Sequence, residues 1–328
     1  MTQSTLKVAL KRGALVAAAN WPVTLIQASA DSLFKLLLAA PLIGGVFLVA
    51  LAVGSEPLAL IVLDSREMLA TVAAALVAQP IVLAAFLLAI GVVAVGGSLF
   101  VFLLKGGTVA TLVRSEREAG PIEEPPLHAS AVARASRFSV DAYVASAWTL
   151  FPRYARLGFI LMAVYLLSAL AYLAVVRTNA ASGWGATAAT TVVFALWITI
   201  VNLLYLLVQI VIAAEDCGVA AAARRVAAFL RHQHRHVAAV FALVLAIVIA
   251  ATGASVLATA ALGLVAFVPF FGLAALPLQL LAWLLRGLVF QYLGLASVGA
   301  YLKLYRAFTD AQQRVRPAPA YDHAWRPT

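Results

Sequence analysis

The most concentrated set of chemically versatile side chains lies between Arg231 and His236, where three histidines alternate with arginine and glutamine. His232 and His236 are four residues apart, so they would share one face of a helix, as metal-binding helices require. A metal needs further ligands, which the sequence does not bring near, and adjacent arginines disfavour a divalent cation. The same side chains suit contact with anionic lipid headgroups, or a change of charge near neutral pH. We expect headgroup contact and no metal site, through Arg224, Arg225, Arg231, His232, Arg235 and His236.

Two adjacent carboxylates, Glu215 and Asp216, follow an apolar run and precede this basic segment. Acidic side chains are favoured at the positive end of a helix dipole, and Asp216 has the right type to cap the helix that follows. The alternative is a pair of carboxylates at the cytoplasmic mouth of the protein that handles a cation or a proton. The sequence leaves both interpretations open.

Arg286 is the charged residue whose burial in a membrane would cost the most free energy, because it interrupts a long apolar segment. An arginine near the centre of a membrane helix costs at least about 2.5–3.5 kcal/mol. No carboxylate lies deep in any apolar segment to pair with it. It either extends towards the interface or bonds exposed backbone, or it belongs to a polar site that binds an anion such as a lipid phosphate. That site would comprise Arg286, Gln279, Gln291, Asn202 and Gln209.

Motifs of soluble catalysis are missing from the sequence. It contains no HExxH, phosphate-binding loop, GxSxG or dinucleotide fingerprint. Cys217 is the only cysteine, which excludes an intramolecular disulfide and a paired-cysteine metal site. We therefore expect no catalytic residues, no metal and no cofactor.

The elements that must position these residues follow from composition. Of 328 residues, 64% are apolar and 11% are charged, and the mean hydropathy is +1.02. Such a chain cannot cover a water-facing surface, so its solvent is lipid. Segments of about 20 apolar residues are long enough to cross a bilayer. A run at 68–78 is too short, and either begins the second helix or lies at the interface. Six segments qualify: 33–53, 81–104, 157–176, 187–213, 237–262 and 277–302.

The distribution of charge predicts the orientation. The formal net charge is +10, and most of the Lys and Arg residues lie before the first span, in the 105–156 loop, after the fourth span and after the sixth. Basic residues in short loops stay in the cytoplasm, so we expect both termini there. The basic excess is then a topology signal and requires no nucleic-acid partner. The Arg-rich and Ala-rich composition is typical of bacteria, which predicts the bacterial cytoplasmic (inner) membrane.

Amphipathic segments precede the first, third and fifth spans. The first begins at Asn20-Trp21-Pro22, a typical helix start. Such helices lie in the interface with the basic face towards anionic headgroups, or else pack on loops and on one another. We predict an all-α fold of three hairpins, each preceded by a cytoplasmic amphipathic helix. The apolar stripes comprise Leu25, Ile26 and Leu33; Val140, Tyr143, Val144, Trp148 and Phe151; and Ala222, Val226, Phe229 and Leu230.

The remaining segments complete a single domain over residues 1–312. In the 105–156 loop, residues 108–118 are expected to extend the second span as a helix. Residues 120–128, which are rich in proline and acidic, are expected to form a solvated linker. The tail 313–328 is expected to be disordered.

Residues 200–306 resemble the membrane domain attached to some glycerophosphodiester phosphodiesterases, and related stand-alone bacterial membrane proteins. The likeness lies in Glu215 after an apolar span, in the helix from Ala221 to Arg225, in the basic turn that follows, and in Tyr301 to Arg306 at the last span. The catalytic domain with its metal ligands is missing here, so hydrolase activity does not carry over. The resemblance implies a six-helix integral membrane module.

Together these observations predict a non-enzymatic integral membrane protein that contacts anionic lipid through cytoplasmic interfacial helices. The alternative is a transporter or lipid-handling permease that uses the polar site around Arg286. The sequence names no transported molecule, partner protein or oligomeric state.

Overall fold

The computed structural model describes residues 3–53, 77–124, 129–179, 184–266 and 271–315, with the isolated residues 67, 70 and 74. Within this part of the chain the regular structure is entirely helical. The bounds are α1 Gln3–Ala19, α2 Trp21–Val53, α3 Pro80–Glu118, α4 Ala129–Ala135, α5 Val140–Asn179, α6 Trp184–Glu215, α7 Val219–Ala266 and α8 Phe271–Val315.

Six of these helices, α2, α3 and α5 to α8, are long and apolar enough to cross a membrane. The all-α class and the expectation of six helices that could span a membrane are thus confirmed for the described part of the chain. The predicted surface segments are continuous with the spans: α2 begins at Trp21, α5 at Val140 and α7 at Val219. No glycine separates either segment from its span in α5 or α7, and continuing a helix is easier than starting one. Among the described helices, α7 alone contains a backbone break, at Gln233 (φ −122°, ψ 21°).

Buried residues gather at one end of the helices, which we call the basal core. It comprises α1, the first turns of α2, α5 and α7, and the last turns of α3, α6 and α8. Tyr154, Tyr301 and Phe229 are its largest fully buried side chains. Beyond it the helices, which we call the arms, expose their leucines and valines, and no residue in the most apolar stretch of α5 is buried.

Neighbouring helices run antiparallel, as their hydrogen bonds show. Along α5 and α6, Tyr154 Oη donates to Gln209 O (2.9 Å), and Trp197 Nε1 donates to Ser168 Oγ (2.9 Å). Between α2 and α3, Gln27 Nε2 donates to Thr108 Oγ1 (2.6 Å), and the later residue Gly45 of α2 lies against the earlier residue Phe86 of α3. The α7 helix packs on α8. The internal repeat of three units stays a prediction.

Two expectations for the connecting segments need correction. The 105–156 region is largely helical, since α3 runs to Glu118, as expected for 108–118, and α4 follows. The expected solvated linker is packed where it is described: Ile122 is only 1% exposed, because it joins a small core with α1 and α4. Residues 125–128, the tail 316–328 and most of the 68–78 run lie outside the described residues.

Candidate functional site

An open groove of about 890 Å³ runs between the first half of α7 and the last turns of α8, and the end of α6 closes one side. We call it the α7–α8 groove. It brings together the predicted carboxylate Glu215 with two members of the basic segment, Arg225 and His232. Its other lining residues are Ala228, Gln233, Tyr305, Phe308, Thr309, Ala311, Gln312 and Gln313.

The floor of the groove is aromatic, because the apolar stripe of α7 packs against α8. The Phe229 ring centroid lies 5.5 Å from that of Tyr305 and 5.4 Å from that of Phe308. Ala222, Val226 and Phe229 are all buried. Of the two interpretations left open for this stripe, packing against the rest of the protein therefore holds for these three residues.

The other two stripes are divided between protein and surroundings. In α5, Tyr143 is buried, whereas Val140 and Trp148 are more than 60% exposed. In α2, Trp21 is 61% exposed and Leu25 is 42% exposed. Their contact with a lipid interface stays a prediction.

Glu215 anchors one wall of the groove. Its Oε2 pairs with the Arg225 guanidinium, and its Oε1 accepts a hydrogen bond from the Tyr305 hydroxyl. Both carboxylate oxygens are therefore engaged by α7 and α8. This arrangement ties the ends of three helices together and leaves Glu215 poorly suited to hold a free cation.

Asp216 lies outside the groove. Its φ of +48° is left-handed, a conformation common for the residue that ends a helix. Its carboxylate pairs with Arg153 of α5. The first backbone hydrogen bond of α7 runs from Ala222 N to Gly218 O (2.9 Å), so Gly218, and not Asp216, is the residue that immediately precedes α7.

The basic residues of α7 point away from the basal core. Arg224, Arg225, Arg231, Arg235 and His232 are exposed, and His236 is half-buried. The His232 ring lies against Phe308, with centroids 5.9 Å apart. Among the described residues, no three His, Cys, Asp or Glu side chains converge as a metal site would require.

The polar site expected around Arg286 is not assembled by direct contacts. Arg286 is exposed on α8, and its guanidinium lies 5.8 Å from the Phe290 ring. Asn202 is exposed and accepts a hydrogen bond from Tyr165, whereas Gln209 is buried in the basal core. Gln279 and Gln291 are half-buried on α8. Across the part of the chain that the structure describes, no hydrogen bond joins any two of these five predicted residues.

A buried ion cluster escaped sequence analysis. Arg12 of α1 is 5% exposed, and its Nε lies 2.7 Å from both carboxylate oxygens of Glu116 in α3. Its Nη1 lies 2.5 Å from Glu123 Oε2, in the turn after α3. From the sequence, Arg12 served only as one of the basic residues that predict the orientation, because 104 residues separate it from Glu116. The presence of Glu116 and Glu123 among mostly basic residues could have indicated an ion cluster.

Charges from α8 complete this cluster. Lys303 Nζ lies 3.4 Å from Glu123 Oε1, and Lys11 Nζ donates to Glu123 O (2.9 Å). Burial alone would raise the pKa of the Glu123 carboxyl. Hydrogen bonds from backbone and Arg12, with the positive charges of Arg12 and Lys303, outweigh burial and hold that pKa below its usual value.

Asn20 provides a second buried link between helices. Its Nδ2 contacts Val16 O (2.9 Å), Ser115 Oγ (2.8 Å) and Ala135 O (2.9 Å), and its Oδ1 accepts from Arg137 N (3.1 Å). The residue was predicted only as a helix start. In the structure it joins the α1–α2 turn to α3 and to the end of α4.

No protein-family model, curated protein or solved structure matches this chain. The resemblance of residues 200–306 to the phosphodiesterase membrane domain stays a prediction.

Proposed function

We propose that this six-helix protein is a non-enzymatic membrane protein that holds anionic lipid at its basic end, through the exposed arginines of α7. The observation that carries the proposal is the orientation of this segment. Burial of Val226 and Phe229 against α8 fixes the helix, so that Arg224, Arg231 and Arg235 face outward beside the start of the fifth span.

The position of the arginines favours lipid over a soluble partner. Arg235 precedes the predicted span 237–262 by two residues, and Arg231 lies about one helical turn further out. Headgroups extend about 5–7 Å beyond the hydrocarbon on each side, so both guanidinium groups reach them. Each cation near an anionic surface contributes about 1 kcal/mol.

The test compares two double variants of the full chain, reconstituted in bilayers of phosphatidylcholine and phosphatidylglycerol. Spin-labelled lipids measure how strongly the protein surface prefers phosphatidylglycerol. Replacing Arg231 and Arg235 by glutamine should lower this preference about fivefold or more at low salt. The matched control replaces Lys7 and Arg134, which are exposed elsewhere at the same end, and should change the preference much less.

Two results would contradict the proposal. One is an unchanged lipid preference in the Arg231→Gln/Arg235→Gln protein. The other is an equal loss in the control variant, which would mean that the preference follows total charge and does not depend on α7.

The proposal includes an orientation in the bacterial inner membrane, with both termini in the cytoplasm. The single cysteine makes this testable by labelling. In a Cys217→Ser background, cysteines introduced at Arg134 and at Arg177 should lie on opposite sides. A membrane-impermeant maleimide should label only the Arg177→Cys variant in intact spheroplasts, and labelling of Arg134→Cys instead would reverse the orientation.

A further inference from the structure

The α7–α8 groove offers hydrogen-bond donors with no acceptor among the described residues. Arg225 uses Nη1 for Glu215, and its Nε and Nη2 have no hydrogen-bond partner in the part of the chain that the structure describes. Its side chain is 47% exposed. A guanidinium has five N–H donors in one plane, so a second oxyanion can bind while the contact with Glu215 persists.

The acceptors of the groove are, by contrast, already occupied where they are strongest. Glu215 receives Arg225 on one oxygen and the Tyr305 hydroxyl on the other. The remaining polar lining consists of uncharged amides and a hydroxyl, from Gln233, Thr309, Gln312 and Gln313, together with His232. The formal charges of Glu215 and Arg225 cancel, and the strongest groups left free are the Nε and Nη2 donors of Arg225, which favours a ligand with anionic oxygens over a cation.

The shape of the groove favours an anion that carries a larger substituent. Its volume of about 890 Å³ exceeds what a single inorganic ion fills. The faces of Tyr305 and Phe308 provide an apolar floor, and the amides of Gln312 and Gln313 can bond hydroxyl or ester oxygens. The break at Gln233 lies at the groove itself, where the segment packed on α8 gives way to the span.

We infer that the α7–α8 groove is a binding site for one phosphate-ester anion, with the Arg225 guanidinium as its principal donor and the amides of α8 around the ester group. This inference rests on the proposed lipid contact and sharpens it. The arginines that face the bilayer attract anionic lipid in general, whereas the groove holds a single molecule in one place.

The experiment counts bound molecules on the full chain in detergent by native mass spectrometry, titrated with phosphatidylglycerol. The wild-type protein should retain one molecule more tightly than the rest. Arg225→Gln should weaken that site about tenfold or more, because hydrogen bonds to charged groups are strong. The matched control is Arg156→Gln, which removes the same charge from an exposed position on α5 outside the groove and should change affinity less than about twofold.

Arg225→Gln also breaks the ion pair with Glu215, so a second variant is needed that blocks the groove and keeps this pair. Ala228 lines the groove and carries no charge, so Ala228→Leu fills space while every ion pair stays. It should also remove the tight molecule. Loss in Arg225→Gln with full retention in Ala228→Leu would overturn the groove as the place of binding.

Three further outcomes distinguish a lipid from a soluble anion as the ligand, and distinguish the groove proposal from the general lipid contact. Displacement of lipid by millimolar inorganic phosphate, with the same dependence on Arg225, supports the phosphate chemistry and assigns the site to a soluble compound. Equal weakening by Arg156→Gln and Arg225→Gln overturns the groove, and the general lipid contact then stands or falls with Arg231→Gln/Arg235→Gln alone. If neither these variants nor Arg231→Gln/Arg235→Gln change lipid binding, both proposals are overturned.

Discussion

The basal core and the arms of this molecule use the same helices for opposite purposes. In the basal core, α1 meets α8 backbone to backbone, and charged side chains such as Arg12 and Glu116 are almost completely buried. In the arms, helices pair through occasional contacts such as Tyr172 on Phe194, and large apolar side chains face outward. The comparison shows that α5, with 40 residues, can be a lipid-facing span at one end and a packed core element at the other.

The difference follows from what surrounds each region. Lipid tails are as apolar as leucine, so arms gain little from burying apolar surface against each other. Outside the hydrocarbon, water penalises exposed apolar surface, and helices pack to remove it. We therefore expect changes in the basal core to cost stability and comparable changes in the arms to cost little. Three predictions test this, from the largest effect to the smallest.

The largest effect should come from breaking the buried ion cluster. Glu116→Gln leaves the Arg12 guanidinium buried without its main countercharge, and breaking a buried pair in this way typically costs about 3–5 kcal/mol. The free energy of unfolding is measured by SDS titration in mixed micelles. The control is Glu118→Gln, which breaks a pair with Arg137 whose side chains are 40% and 45% exposed. It should cost less than about 1 kcal/mol. Equal costs would mean that the core gains nothing from burying the cluster.

The second prediction adds one methyl group to each region. A Cβ at Gly13 would lie 2.3 Å from the Ala296 carbonyl oxygen, so Gly13→Ala must push α1 away from α8. The expected loss is about 1–3 kcal/mol of unfolding free energy. A Cβ at Gly91 in an arm meets nothing within 4 Å. Gly91→Ala should be neutral or stabilising by up to about 1 kcal/mol, because alanine favours helix. A destabilising Gly91→Ala would contradict this expectation and show that a neighbouring molecule packs closely against the arm.

The smallest effect concerns acid. The pKa of Glu123 is lowered in the folded protein, so its ionised form stabilises the fold above its unfolded pKa, near 4.3. That contribution is lost as the pH falls through the lower pKa of the folded state. The melting temperature should therefore fall more steeply in wild type than in Glu123→Gln as the pH drops below the unfolded pKa. If the melting temperatures of wild type and Glu123→Gln fall in parallel with pH, Glu123 is not the source of the pH dependence. The arms carry few carboxylates and should contribute little to this slope.

Much of the architecture was predictable because it depends on local properties. Long apolar segments must be helical in lipid, since every backbone group needs a partner there. This requirement gives the six spans and the helical class. The amphipathic period of α7 also predicted correctly that Ala222, Val226 and Phe229 share a buried face, while Arg224, Arg231 and Arg235 are exposed.

The candidate site was only half predictable. Glu215, Arg225 and His232 were each selected by type and neighbourhood. Their meeting point depends on Tyr305 and Phe308, which lie about 80 residues further along the chain. Tyr305 entered the sequence analysis only as part of the resemblance at 301–306, and Phe308 did not enter it. The sequence pattern of an apolar stripe is also the same whether lipid or protein covers it, so the pattern does not predict which of the two does.

The sequence by itself determined that this protein is helical, that six of its helices are fit to cross a membrane and that its charge is concentrated between particular spans. These properties depend on short stretches of chain and on the solvent that they require. Only the tertiary structure decided that Arg12 is buried between Glu116 and Glu123, that the stripe of α7 faces α8, and that Glu215, Arg225 and Tyr305 form one contact. These contacts join residues that are far apart in sequence. They depend on how the helices pack, which residue type alone does not determine.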